Sequence, residues 1–317
     1  MGKPHFCHAA ALVLGLMVIA APAFAQSAVA PGLQTPAKPD LAFGAYQRGL
    51  YRTALDEALQ RLQTNKDDAA AMALIGQIYA DGRAVPLDPK ESARWFALSA
   101  ALGNREAQFA LGVDYLEGKG VSKDKVQAKN WLEKAAAQGE PGAQYNLAIL
   151  AIENKSDKTD MADFAQAAAL FQKSAQGGNA DAALALGILY QKGRGVPQDL
   201  AQAAKWFHTA ADRGNSAGMV EYGLALFKGL GVPKDESAAA KTLLHGAELD
   251  NPMAQNRIAR LMAAGRGIPK DLVEAMKWHL LARAAGEKDA WLDDQLRFLT
   301  PAQTTAVQAK VRAYVGR

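Results

Sequence analysis

Cysteine is almost missing. The 317 residues contain one, Cys7. It sits inside a stretch that reads as a removable leader, so the mature chain is expected to have none. Disulfides, cysteine–metal sites and cysteine nucleophiles are then excluded together. Aromatic residues are scarce at 7%, although half of the chain is hydrophobic. That apolar share leans on Ala and Leu, a mix that suits close-packed helices better than a sheet. An excess of charge is also missing. Lys and Arg number 36 against 32 Asp and Glu, a net charge of +4, too little to argue for nucleic acid. Long hydrophobic runs are absent, and the one apolar stretch, ALVLGLMVIAAP at residues 11–22, is short for a membrane span. With 21% charged residues the composition is globular rather than disordered.

The first 25 residues have the layout of a secretory signal peptide: Lys3 and no acid, the apolar core, then Ala23-Phe24-Ala25. Cleavage is expected after Ala25, which takes the charge from +4 to +3 by removing Lys3. No other segment approaches spanning length, so no transmembrane segment is expected after cleavage. The expected location is the periplasm, with secretion as the second choice. Cys7 precedes the apolar core and is not placed for lipid attachment. Residues 26–40, QSAVAPGLQTPAKPD, read as a flexible lead-in.

The dominant signal beyond it is self-similarity. Residues 105–140 and 180–215 share a frame: Ala107, Leu111-Gly112, Tyr115, Gly118-x-Gly120-Val121, Asp124, Ala128, Trp131, Ala135-Ala136 and Gly139 in one; Ala182, Leu186-Gly187, Tyr190, Gly193-x-Gly195-Val196, Asp199, Ala203, Trp206, Ala210-Ala211 and Gly214 in the other. The frame recurs at 69–104, 216–251 and 252–287, and degraded at 141–179. Ala107, Leu111 and Tyr115 form one helical stripe. Gly112 keeps that helix thin for a close neighbour. Gly118-x-Gly120 stops it. Asp124 caps a second helix, whose buried face is Ala128, Trp131, Leu132, Ala135 and Ala136. A lone helical hairpin cannot bury both faces, so units must stack.

This frame resembles the Sel1-like repeat family, a relative of the tetratricopeptide repeat. The resemblance implies an all-α fold, a right-handed α/α superhelical solenoid of six repeats at 69–104, 105–140, 141–179, 180–215, 216–251 and 252–287. Residues 41–68 read as a tetratricopeptide-style opening helix pair. Residues 288–317 read as a closing cap, with Thr300 as N-cap and Pro301 in the first turn.

The third unit departs from the frame. Asn154-Lys155-Ser156 stands at the glycine turn, three residues are added and Leu170 replaces Trp. The 154–160 stretch reads as a tolerated loop insertion or a partner-contacting loop. In the fifth unit Thr242 replaces Trp, and both losses are expected to loosen a joint.

Catalytic motifs fail on context. Gly214-Asn215-Ser216-Ala217-Gly218 fits G-x-S-x-G, but that motif needs a preceding strand, whereas Gly214 falls on the repeat's helix stop and Ser216 on the next unit's start, where it can cap. His208, His245 and His279 lack ligand spacing, and His279 takes a core position held elsewhere by Phe96, Leu132 and Phe207. Asn154-Lys155-Ser156 matches a glycosylation sequon, a match of little weight. No catalytic, cofactor or metal residue is assigned and no cofactor is expected. Arg83, Lys119, Lys155, Arg194 and Arg266 form a basic column at the glycine turn, joined by Lys123, Lys234 and Lys270. It reads as a solvated edge, with an acidic partner or anionic surface as the alternative.

Family geometry places the first helix of each unit on the concave side. The candidate partner-binding residues there are Phe109, Val113, Tyr145, Asn146, Ile149, Leu184, Ile188, Glu221, Arg257 and Arg260. An apolar middle with polar residues toward one end would suit a peptide or helix. The competing expectation is that these residues pack against the protein's own helices. The resemblance implies a non-catalytic scaffold or adaptor with a protein partner, such as an envelope protein or membrane sensor, in a signalling or cell-wall process. Two alternatives stand beside it. One is a penicillin-binding or β-lactamase-like hydrolase, as for cysteine-rich relatives whose cysteines this chain lacks. The other is a cell-wall glycan-binding module.

Overall fold

The computed structural model describes residues 40–153, 155 and 160–316. The leader, the lead-in before Asp40, and Asn154 and residues 156–159 of the insertion lie outside them, and with them the signal-peptide and sequon readings. Among the described residues the regular structure is sixteen α-helices and one 3-10 turn, without a strand. The fold is all-α, as the composition and frame predict.

The chain divides into two compact units, one ending at Gln138 and one beginning at Gly139. The first holds α1 (Leu41–Gln47), α2 (Tyr51–Thr64), α3 (Ala69–Asp81), α4 (Pro89–Ala101), α5 (Arg105–Glu117) and α6 (Lys125–Ala137). The second holds α7 (Pro141–Ile152), α8 (Met161–Gln176), α9 (Ala180–Lys192), α10 (Leu200–Asp212), α11 (Ser216–Lys228), α12 (Glu236–Glu248), α13 (Pro252–Ala264), α14 (Leu272–Ala284), α15 (Ala290–Gln295) and α16 (Pro301–Val315). Within each unit the helices up to α14 pair consecutively as hairpins, and each hairpin's second helix packs on the first helix of the next; at the C-terminal end α14 packs on α16 instead of α15.

The hairpin is built by a few residues. Asn104 caps α5, its side chain accepting from the Ala107 N–H at 2.8 Å. Gly118, at φ 76°, ends it. Asp124 then does two jobs. Its carboxylate accepts from the N–H groups of Val126 and Gln127, and its own N–H donates to the Tyr115 carbonyl at 3.0 Å. The same tie joins Asp88 to Tyr79, Asp199 to Tyr190, Asp235 to Leu226 and Asp271 to Met262. The frame aspartate therefore fixes both the start of the second helix and its distance from the first. A Cβ on Gly112 would lie 2.8 Å from Leu132 Cγ, so the glycine sets how closely α5 and α6 approach.

Two expectations about single residues need correction. Ser216 does not cap its helix. Asn215 does, accepting from Gly218 N–H at 2.7 Å, and Ser216 instead accepts from the Asn251 amide at 3.1 Å. The reason is geometric: a capping side chain must sit one residue before the first helical one. The frame tryptophan is also not a central core residue in three units. Trp95, Trp131 and Trp206 are half-buried, and the residue after each (Phe96, Leu132, Phe207) is the one that disappears into the hairpin, whereas in the last repeat Trp278 is itself buried at 2% exposure, as expected.

The second glycine of the turn makes the joint between hairpins. A Cβ on Gly120 would lie 1.9 Å from the Pro89 carbonyl oxygen, and one on Gly267 1.9 Å from that of Glu236. In both cases the turn of one hairpin presses on the backbone that opens the second helix of the hairpin before it.

Candidate functional site

In the first unit Phe109 and Val113 sit one turn apart on α5, and each is only 6% exposed. In the second, Tyr145 is buried with its ring 5.6 Å from that of Phe171 on α8. Asn146 is buried beside it, with no partner for its amide nitrogen among the described residues. Ile149 on α7, Leu184 and Ile188 on α9, Glu221 on α11, and Arg257 and Arg260 on α13 are half-buried. So the first-helix face mixes packed positions, such as Phe109 and Tyr145, with accessible ones, such as Ile149, Leu184 and Ile188.

The polar end of this face is partly spent on the chain itself. Arg260 forms two bonds to Asp289, at 2.5 and 2.7 Å, and Asn256 donates to the same carboxylate at 2.9 Å. Asp289 also caps α15 through the Leu292 N–H. Arg260 lies over the half-exposed ring of Trp291, 5.4 Å from its centre. Asp289 and Trp291 escaped the sequence reading. The available signal was a cap residue soon after Gly286, where four earlier units place Asn104, Asn179, Asn215 and Asn251. Arg257 donates to Asn256 at 3.3 Å, and its Nε has no partner among the described residues. Burial pushes the Glu221 carboxyl up, while a bond from Gln191 and the charges of Lys228, Lys192 and Arg257 partly offset it. A small cavity of about 80 Å3 lies beside it, lined among others by Gln191, Phe207 and Lys228.

Asp114, next to Val113, carries a buried carboxylate oxygen without a hydrogen-bond partner among the described residues. Burial pushes its carboxyl up to about 7, with Lys119 opposing and Glu117 adding. A raised folded value means that the native state holds this proton more tightly than the unfolded chain does. Stability therefore falls as pH rises from about 4 to about 7. Asp114→Asn, which mimics the protonated form, is expected to stabilise by about 1–3 kcal/mol at about pH 8 and by little at about pH 4. Urea unfolding at the two pH values checks this, and an equal effect at both would refute it.

The basic column is largely engaged with neighbouring parts of the chain. Arg266 and Lys234 both bond to Glu236, whose carboxyl is held down to about 2 by them, Arg266 first. Lys155 pairs with Asp163 at 2.9 Å and Lys119 with Glu117. Arg83 lies over the Tyr51 ring and Arg194 over the Phe164 ring, at 5.3 and 5.8 Å. Arg83, Arg194 and Arg266 each reach back to the second helix of the preceding hairpin; Arg194 and Arg266 thereby reinforce the glycine joint, while Arg83 does so at a turn where Ala84 replaces the second glycine.

His279 is fully buried, with its Nε2 3.0 Å from Asp293. Asp293 also accepts from Arg283. The histidine ties α14 to α15. Among the described residues no group of three or more His, Cys, Asp or Glu side chains is placed to hold a metal ion. No helix there is long and apolar enough to cross a membrane.

Stacked helical hairpins joined at glycine turns define an α-helical repeat protein. The Sel1 repeat model matches residues 69–104, 105–140, 141–179, 180–215, 216–241 and 252–287, and the chain belongs to the Sel1 repeat family. In the fifth unit that match stops at Lys241, although α12 continues to Glu248. The chain is similar to the crystal structure of a Sel1 repeat protein from Oxalobacter formigenes, with 25% identity, a TM-score of 0.65, and coverage of 78% of this chain and 96% of that one. It is also similar to a protective antigen present in uropathogenic Escherichia coli strains that displays an SLR fold. There the identity is 26% and the TM-score 0.71, over 87% of this chain and 61% of the antigen's. No curated protein matches the chain. Sel1 repeats generally mediate protein–protein interaction.

Proposed function

We propose that the chain is a non-catalytic periplasmic adaptor that holds a segment of an envelope protein on the first-helix face of its repeats. The observation that carries this reading is the six-repeat array itself. Repeats of this family serve protein–protein interaction, and stacked hairpins offer a preformed surface at little ordering cost. The leader-like first 25 residues support export, with the mature chain starting at Gln26.

The test must avoid packed residues. Phe109→Glu would bury a charge and report on folding. Ile149 and Ile188 are half-exposed, so Ile149→Glu with Ile188→Glu changes the accessible face while leaving the core intact. In-cell cross-linking, affinity capture and mass spectrometry are expected to yield one envelope protein with the wild-type chain and to lose it with the double variant. Unchanged capture would sink the role of this face. Osmotic-shock fractionation with N-terminal sequencing tests location, and a cytoplasmic chain beginning at Met1 would refute export.

A further inference from the structure

A groove of about 420 Å3, open to solvent, lies at the far end of the second unit. There the C-terminal ends of α12 and α14 meet α13 and the end of α16. Its polar lining consists of hydrogen-bond acceptors. Gln255 is only 4% exposed. Its amide nitrogen donates to the Ala247 carbonyl at 3.3 Å, and its Oε1 takes no partner among the described residues. Glu248 and Asp250 are exposed carboxylates, and neither is in an ion pair. The Tyr314 hydroxyl proton is already given to Asp250 at 2.8 Å. Leu281, Ala285 and Val315 add apolar surface.

Among the described residues no cation lines the groove. Lys277, whose ammonium lies 5.7 Å from the centre of the Tyr314 ring, is bound to Glu274. Of the other carboxylates close in sequence, Glu274 is paired with Lys277 and Lys310, Asp289 with Arg260 and Asp293 with Arg283. The C-termini of α12, α14 and α16 add negative potential, which the single N-terminus of α13 only partly opposes. Asp250 is itself a departure from the repeat. At φ 59° it is the one non-glycine residue with positive φ among the described residues, at a turn where other units have Gly103, Gly139 and Gly214. The chain tolerates backbone strain there and gains a carboxylate.

We propose that this groove docks a lysine or arginine side chain carried by an extended segment of a partner protein. An occupant rich in donors and positively charged would satisfy Gln255, Glu248 and Asp250 together. Its aliphatic stem would cover Leu281, Ala285 and Val315. The open mouth lets a polypeptide continue across the surface, which a pocket for a free amine has no need to allow. This surface is distinct from the first-helix face, so the two proposals stand or fall separately.

The test is fluorescence anisotropy with the mature full chain at low ionic strength and a fluorescein-labelled Gly-Ser-Arg-Gly-Arg-Ser-Gly peptide. Saturable binding is expected, weakened about tenfold by Glu248→Gln combined with Asp250→Gly, and absent for the peptide with Glu in place of Arg. Asp250→Gly restores the repeat's usual residue. Glu248→Gln alone changes only an exposed side chain and keeps the test valid if the double variant unfolds. Absence of binding, or equal binding by wild type and variants, overturns the proposal. Competition by free arginine or spermidine at peptide concentrations overturns the assignment to a protein segment. Self-association of the wild type that the double variant abolishes overturns the assignment to a different protein, since the occupant is then a second copy.

Discussion

Gly267→Ala is expected to destabilise the second unit by about 3 kcal/mol or more. A methyl group there meets the Glu236 carbonyl oxygen at 1.9 Å and its carbon at 2.4 Å. Both are backbone atoms that open α12, so relief requires the hairpins to separate. The residue also sits at φ 68°, which adds about 1 kcal/mol for any L side chain. Gly214→Ala is the internal control. Its φ is 83°, yet nothing lies within 4 Å of the added carbon. That change should cost about 1 kcal/mol, the backbone share alone. Urea denaturation followed by circular dichroism separates the two, and equal costs would show that the contact contributes nothing.

Asp289→Ala has the second-largest expected effect, about 3 kcal/mol. It strips the Arg260 guanidinium of its carboxylate, leaves the buried Asn256 amide without an acceptor, and removes the cap of α15. Asp289→Asn keeps an acceptor for the cap and should cost about half as much. The interaction has a defined pH dependence. Burial alone pushes the Asp289 carboxyl up, but Arg260, Asn256 and the Leu292 N–H outweigh it and hold it below the usual range. A depressed folded value means that the stabilisation is complete above the unfolded value of 3.8 and is lost as pH falls through the lower folded one. The wild type should therefore lose its advantage over Asp289→Ala in strong acid. An advantage constant from neutral to strongly acidic pH would rule out the ion pair.

The fold was largely legible because its determinants are local. Gly118, Asp124 and Ala128 each act within a turn or two of their own position, and the frame exposes them by repetition. What escaped depends on residues about thirty positions apart. The basic column is visible in the sequence, but that Arg266 meets Glu236 and that Arg83 covers Tyr51 follows from how hairpins stack. Asp289 looks like an ordinary surface acid until α13 brings Arg260 and Asn256 to it. The candidate face was legible as a stripe and less so as a surface. Tyr145 and Ile149 share a helix, yet the first turns its ring onto Phe171 while the second stays accessible. Helical period assigns residues to a face and leaves depth to the neighbouring helix.

The glycine joint also gives the array a direction. Gly120 rests on Pro89, Gly195 on Phe164, Gly231 on Leu200 and Gly267 on Glu236, always on a residue earlier in the chain. A hairpin leaving the ribosome thus meets a docking edge that is already formed, and growth from the N-terminal side never waits for sequence still to be made. Removing hairpins from the front strands a turn shaped for a missing predecessor, whereas removing them from the back leaves every earlier joint intact.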